Sequence, residues 1–202
     1  MNADKALKQL KEGNLRYIEA EINGKKIDRT VVQHEVLLTQ KPSAIILGCS
    51  DSRVPAEAVF DQGVGDLFIV RIAGNIVAPS QIGSIEFACQ QFGTQLIVVL
   101  GHTGCGAISA TIGSLLGDPG EISPNLAAIV DRISPAVQPI ISKVDGDDRE
   151  DILNKAIRAN INYSAQQLES GSEILRDLVK QKKLTIVGAE YSIESGRVEF
   201  LD

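Results

Sequence analysis

Apolar residues along this chain fall into two kinds of pattern. In Asp4–Glu19, Leu7, Leu10, Leu15 and Ile18 recur at helical spacing with Lys and Glu between them, which predicts an amphipathic N-terminal helix. Ser43–Gly48, Leu67–Val70, Leu96–Leu100 and Leu184–Gly188 are instead short continuous apolar runs. Rich in β-branched residues, they predict strands buried on both faces of a parallel sheet. Helical patterns lie between them: Thr30–Thr39, Gln81–Phe92, Ala107–Leu116, Asn125–Ile141, and a long stretch from Arg149 to Lys182 that Gly171 divides. Strand–helix alternation of this kind implies an α/β fold with a central, mostly parallel β-sheet flanked by helices. Glu194-Ser195-Gly196 predicts a turn, after which Arg197–Phe200 adds an antiparallel edge strand. The expected organisation is one domain over 1–202, with an N-terminal helical arm (1–40) leading into the α/β core (41–202).

Composition narrows the function more by exclusion than by selection. An apolar fraction of 44% is ordinary for a globular chain, and 202 residues suffice for a sizeable core. The net charge of -6 lacks the basic face that nucleic-acid binding needs. The longest apolar run is far too short to span a bilayer, so no membrane partner is expected. Charged residues run through Met1–Lys8 with no apolar signal core, and the expected location is cytoplasmic. Three cysteines in such a chain are expected to be reduced.

Two segments carry candidate chemistry, each directly after a predicted strand: Gly48-Cys49-Ser50-Asp51-Ser52-Arg53, and Gly101-His102-Thr103-Gly104-Cys105-Gly106. Open α/β sheets place their sites at the carboxyl ends of such strands. Cys49, His102 and Cys105 converging there form a Cys₂His set with one tetrahedral position left over. Thiolate and imidazole favour zinc over calcium or magnesium. Taken singly, each is also what a buried core cysteine or a hydrogen-bonded histidine looks like, and the spacing is not that of a zinc finger. Cys89 sits in a helical pattern with Ile85 and Phe92 and reads as core, and Gly63-Val64-Gly65 is too incomplete for a nucleotide loop.

These two segments resemble the paired signatures of the β-class carbonic anhydrases. Asp66–Asn75, Gly83–Phe87, Gly188–Tyr191 and Ser195–Val198 are similar to further family segments, so the likeness covers most of the chain. The resemblance implies one Zn²⁺ on Cys49, His102 and Cys105, with water as fourth ligand, or Asp51 in a closed state. It implies reversible hydration of CO₂ to bicarbonate and a proton by attack of a zinc-activated hydroxide. Asp51 and Arg53 then form a dyad in which the guanidinium holds the carboxylate off the metal. Gln40 stands where the plant-like branch carries a substrate-binding glutamine, and Phe68 is assigned to the same role. Ile46 replaces a tryptophan of the bicarbonate-inhibited branch, and Arg71 is then expected to be a structural ion-pair residue. The resemblance further implies a homodimer or homotetramer with sites at subunit interfaces, and the apolar stripe of the Asp4–Glu19 arm is expected to find its cover on a partner. His34, on the second predicted helix, is expected to be an exposed helix residue, leaving proton export to external buffer. A carbonyl sulfide or carbon disulfide hydrolase, and a zinc-stabilised regulatory or redox-sensing protein, are the rival readings.

Overall fold

The computed structural model describes residues 1–25, 39–118, 120, 122–142 and 149–201. All but the last residue of the helix expected over Thr30–Thr39, and His34 with it, lies outside them. Four strands run parallel: β1 (Ala44–Gly48), β2 (Leu67–Arg71), β3 (Leu96–His102) and β4 (Thr185–Tyr191). β5 (Val198–Leu201) returns antiparallel against β4, and the order across the sheet is β2-β1-β3-β4-β5.

Alternation along the strands explains the continuous apolar runs. Ile45, Leu47, Ile97 and Val99 face one helical layer, built from α3 (Pro79–Phe92), α4 (Gly106–Leu115), α5 (Pro124–Ile141), α6 (Arg149–Ser170) and α7 (Glu173–Lys180). Ala44, Ile46, Leu96, Val98 and Leu100 face the other side, under α1 (Ala3–Ile22) and the short α2 (Ala56–Val59). With both faces covered along Ala44–Leu47 and Leu96–Leu100, every position there is apolar, and the period of two vanishes from the sequence.

α1 begins where Asn2 accepts the Lys5 N–H at 3.0 Å. It buries Ala6, Leu10, Gly13 and Asn14 against its own chain. A Cβ at Gly13 would stand 1.8 Å from the Phe60 carbonyl oxygen, so helix and loop touch backbone to backbone. Asn14 fixes the contact, donating to the carbonyls of Val59 and Gly196 and accepting from Val198 N–H. The inner face of the arm is thus covered by its own chain. Leu15 and Ile22 on its outer face stay exposed.

Gly171 separates α6 from α7, and Ser172 caps the second helix by accepting Leu175 N–H. β3 runs two residues beyond the predicted run because Gly101 and His102 pair with Glu190 and Tyr191 of β4. That extension carries His102 into the sheet's carboxyl edge. Among the described residues no helix is long and apolar enough to cross a membrane.

Candidate metal centre

The chain leaves β1 toward β2 on one side and later returns through β3 on the other. Between the carboxyl ends of β1 and β3 the loops part in opposite directions, and such a switch point opens a crevice. Cys49 is the residue after β1, His102 is the last of β3, and Cys105 is the N-cap of α4. Their ligand atoms all lie within 4.8 Å of one another, and all three residues are buried. Tetrahedral thiolates about 2.3 Å from a zinc ion stand about 3.8 Å apart, so little movement closes this set on a metal.

The chemistry of the donors fits a cation. His102 Nδ1 lies 3.0 Å from the Thr103 carbonyl oxygen, which only accepts, so that nitrogen carries the proton. Nε2 is then a lone-pair donor, fully buried and without a hydrogen-bond partner. An orphaned buried nitrogen facing two thiols is costly unless a cation takes it. A carbonyl fixing the far nitrogen is also how metal-bound histidines are oriented.

Acidities point the same way. Hydrogen bonding from the Cys105 thiol pulls the Cys49 thiol down, against burial, with help from the backbone amides of Gly74 and Asp51. Cys105 is driven up by that same bond and by burial. Gly74 N–H donates to Cys49 Sγ at 3.3 Å, a bond that favours the ionised sulfur. Burial opposes charge on His102, but the Cys49 thiolate outweighs it and raises the ring.

Asp51 and Arg53 stand at the rim. Arg53 Nε donates to Oδ1 at 2.9 Å and Nη2 to Oδ2 at 2.7 Å, a two-pronged grip. Arg53 N–H adds a third bond to Oδ1 at 3.0 Å, and Nη2 also reaches the Gly104 carbonyl at 3.4 Å. These guanidinium bonds hold the Asp51 carboxyl well below the usual carboxylate range. Its Oδ2 stays 3.9 Å from His102 Nε2, near the ligand set but engaged elsewhere.

The other predicted residues lie elsewhere. Gln40 precedes β1 while Cys49 follows it, so one whole strand separates them in the same chain. Gln40 borders an open hollow of about 520 Å³ with Lys41, Phe87 and Phe92. Phe68 packs on those two aromatics, its ring centroid 6.4 Å from Phe87 and 6.2 Å from Phe92. The two candidate substrate residues share one patch toward the start of β1, whereas Cys49 follows its end. Cys89 is buried as expected, and burial pushes its thiol up to about 11.

Sequence reasoning missed the frame around Cys49. A 3₁₀ turn, Ala73–Asn75, presents the Gly74 amide, with Gly74 at φ 69° and Asn75 at φ 42°. The Gly-Asn pair after a strand was the available signal, since both tolerate left-handed backbone. Asn160 on α6 donates to the Gly74 carbonyl at 2.8 Å and anchors the turn. Arg71, expected in an ion pair, has no carboxylate within reach among the described residues; it donates to the carbonyls of Cys49 and Asp51.

Comparison with known proteins agrees with this geometry. The family model described as carbonic anhydrase matches residues 44–198. A carbonic anhydrase of Mycolicibacterium smegmatis is 36% identical over 198 residues, which is 96% of this chain and 91% of that protein. The β-carbonic anhydrase CafA of Aspergillus fumigatus superposes with a TM-score of 0.75 at 23% identity, covering 83% of this chain and 79% of that one. One of two tetrameric β-carbonic anhydrases from Sordaria macrospora gives 0.74 at 23% identity, over 83% and 84%. A Cys-His-Cys set at the switch point, on a chain matched over its whole core, places the protein in the β-carbonic anhydrase family, whose reaction is the hydration of CO₂.

Proposed function

We propose that Cys49, His102 and Cys105 hold one zinc ion and that this chain hydrates CO₂ reversibly to bicarbonate and a proton. The observation that carries this reading is the buried, unpartnered His102 Nε2 facing two cysteine sulfurs, one of them already inclined to ionise. When bound, zinc supplies the Lewis acidity that brings the pKa of water from about 15.7 toward 7.

The remaining roles fall to the chain itself. Asp51 Oδ2, the oxygen nearer the ligand set, accepts a hydrogen bond from the attacking water and turns its lone pair toward CO₂. Arg53 keeps the carboxylate in that place through Nε, Nη2 and its own backbone amide. Should Arg53 let go, Asp51 becomes a competing fourth ligand and the site closes. Gln40 and Phe68 serve substrate in a neighbouring subunit, since they sit at the far end of β1 from their own Cys49. That requires at least a dimer. The half-exposed Phe87 beside Gln40 and the tetrameric relatives from Sordaria macrospora support association as a dimer or tetramer. A cytoplasmic location suits thiols that must stay reduced to bind metal.

Elemental analysis with parallel substrate assays tests the reading. One zinc per chain and CO₂ hydration far above carbonyl sulfide hydrolysis are expected. Hydrolysis of carbonyl sulfide at the higher rate would transfer the site to the rival substrate, and zinc without either activity would leave a structural metal.

A further inference from the structure

The loop from Cys49 to Val54 carries a metal-facing thiol and the Asp51 carboxylate, yet belongs to no helix or strand. Its carbonyls are held from one side. Ile72 N–H donates to the Gly48 oxygen at 3.0 Å, continuing the β1–β2 ladder. Arg71 Nε then donates to the Cys49 oxygen at 2.9 Å, and Arg71 Nη2 to the Asp51 oxygen at 2.6 Å. Val54 N–H closes the turn on the Asp51 oxygen at 3.1 Å. Arg71 ends the edge strand β2, so it reaches the loop from the strand beside it. With no ion pair among the described residues, the guanidinium is committed to these two carbonyls.

We infer that Arg71 is a positioning residue that clamps the metal loop and thereby keeps the Asp51 carboxylate on Arg53. Fixing the carbonyls of residues 49 and 51 restrains the backbone on both sides of Ser50 and sets the direction in which the Asp51 side chain leaves. The Arg53 N–H bond to Asp51 Oδ1 needs that backbone, and so does the approach of Nε. A guanidinium offers two donors at a fixed spacing, whereas a lysine ammonium is a single point of attachment on a flexible stem. The inference rests on the proposed metal site only where it concerns Asp51; the clamp itself is a property of the metal-free loop.

Arg71→Met, which keeps an apolar stem and removes every donor, and the milder Arg71→Lys test this together. In metal-free protein, amide exchange across residues 49–54 should rise at least about tenfold in Arg71→Met. Unchanged exchange overturns the clamp whether or not the protein binds metal. In cobalt-loaded protein, the visible spectrum should shift toward carboxylate ligation, and adding Asp51→Asn to Arg71→Met should remove the shift. kcat for CO₂ hydration should fall about tenfold or more with KM little changed, Arg71→Lys recovering only part. An unshifted spectrum with kcat within about twofold of wild type, or a shift that survives Asp51→Asn, overturns the role toward Asp51. If Arg71→Met fails to fold, Arg71→Lys carries the same readings at smaller amplitude, and wild-type behaviour there overturns the inference.

Discussion

His102 and Asp51 are each committed by a bond made away from the crevice. The Thr103 carbonyl accepts from His102 Nδ1–H, and Arg53 donates to both Asp51 oxygens. Arg53→Ala should therefore cut CO₂ hydration by about a hundredfold while most of the zinc stays bound, because the freed carboxylate becomes a ligand. Wild-type turnover in that variant would reduce the pair to a surface bridge. The Asp51 pKa lies below its unfolded value of about 3.9, so its stabilising effect is complete above that pH and fades as pH falls toward the folded value. In metal-free protein, urea unfolding should give a wild-type minus Asp51→Asn stability difference that shrinks as pH falls below about 4. A difference that does not change below about pH 4 would contradict the grip of Arg53 on the carboxylate.

Elements were legible in the sequence where a continuous apolar run had only one use. The four parallel strands and the antiparallel β5 stand where the runs and the Glu194-Ser195-Gly196 turn place them, but only β1 and β3 are buried throughout, β2 being an edge strand. The convergence of Cys49, His102 and Cys105 was legible because the two segments that carry them follow strand ends, and strand ends are set by local sequence. The grip of Arg71 and the Gly74 amide was not legible, because both depend on β2 lying beside β1, and nothing local encodes that neighbour. The cover over α1 was hidden for a similar reason: its stripe shows an apolar face but not which surface receives it. Close approach by glycine was hidden too. A Cβ on Gly101 would meet two Ile161 side-chain carbons at 2.6 Å, and one on Gly188 would meet Ile161 at 2.8 Å, so α6 rides low over β3 and β4. Gly101→Ala should push α6 outward beside His102 and cost about 1–3 kcal/mol by overpacking, measured by urea unfolding. Loss of less than about 0.5 kcal/mol would show that Ile161 yields freely.

On the scale of the whole molecule, one sheet edge gathers Cys49, His102 and Cys105 and the opposite end presents Gln40 and the Phe68–Phe87–Phe92 cluster. On the function proposed above, a subunit so arranged would hold two halves of a site that meet only between subunits. Mixing Gln40→Leu subunits with Cys49→Ser subunits should then yield activity above either alone, since some hybrids contain one complete site. Activity no greater than the sum of the two parents would place Gln40 outside the reaction. The central claim, zinc-dependent hydration at Cys49, His102 and Cys105, is tested most directly by stopped-flow CO₂ hydration before chelation, after chelation and after zinc is returned. The account predicts rapid hydration, its loss on chelation, and recovery with about one zinc per chain in wild type but not in Cys49→Ser. Hydration that persists in chelated protein, or returns in Cys49→Ser, would contradict it.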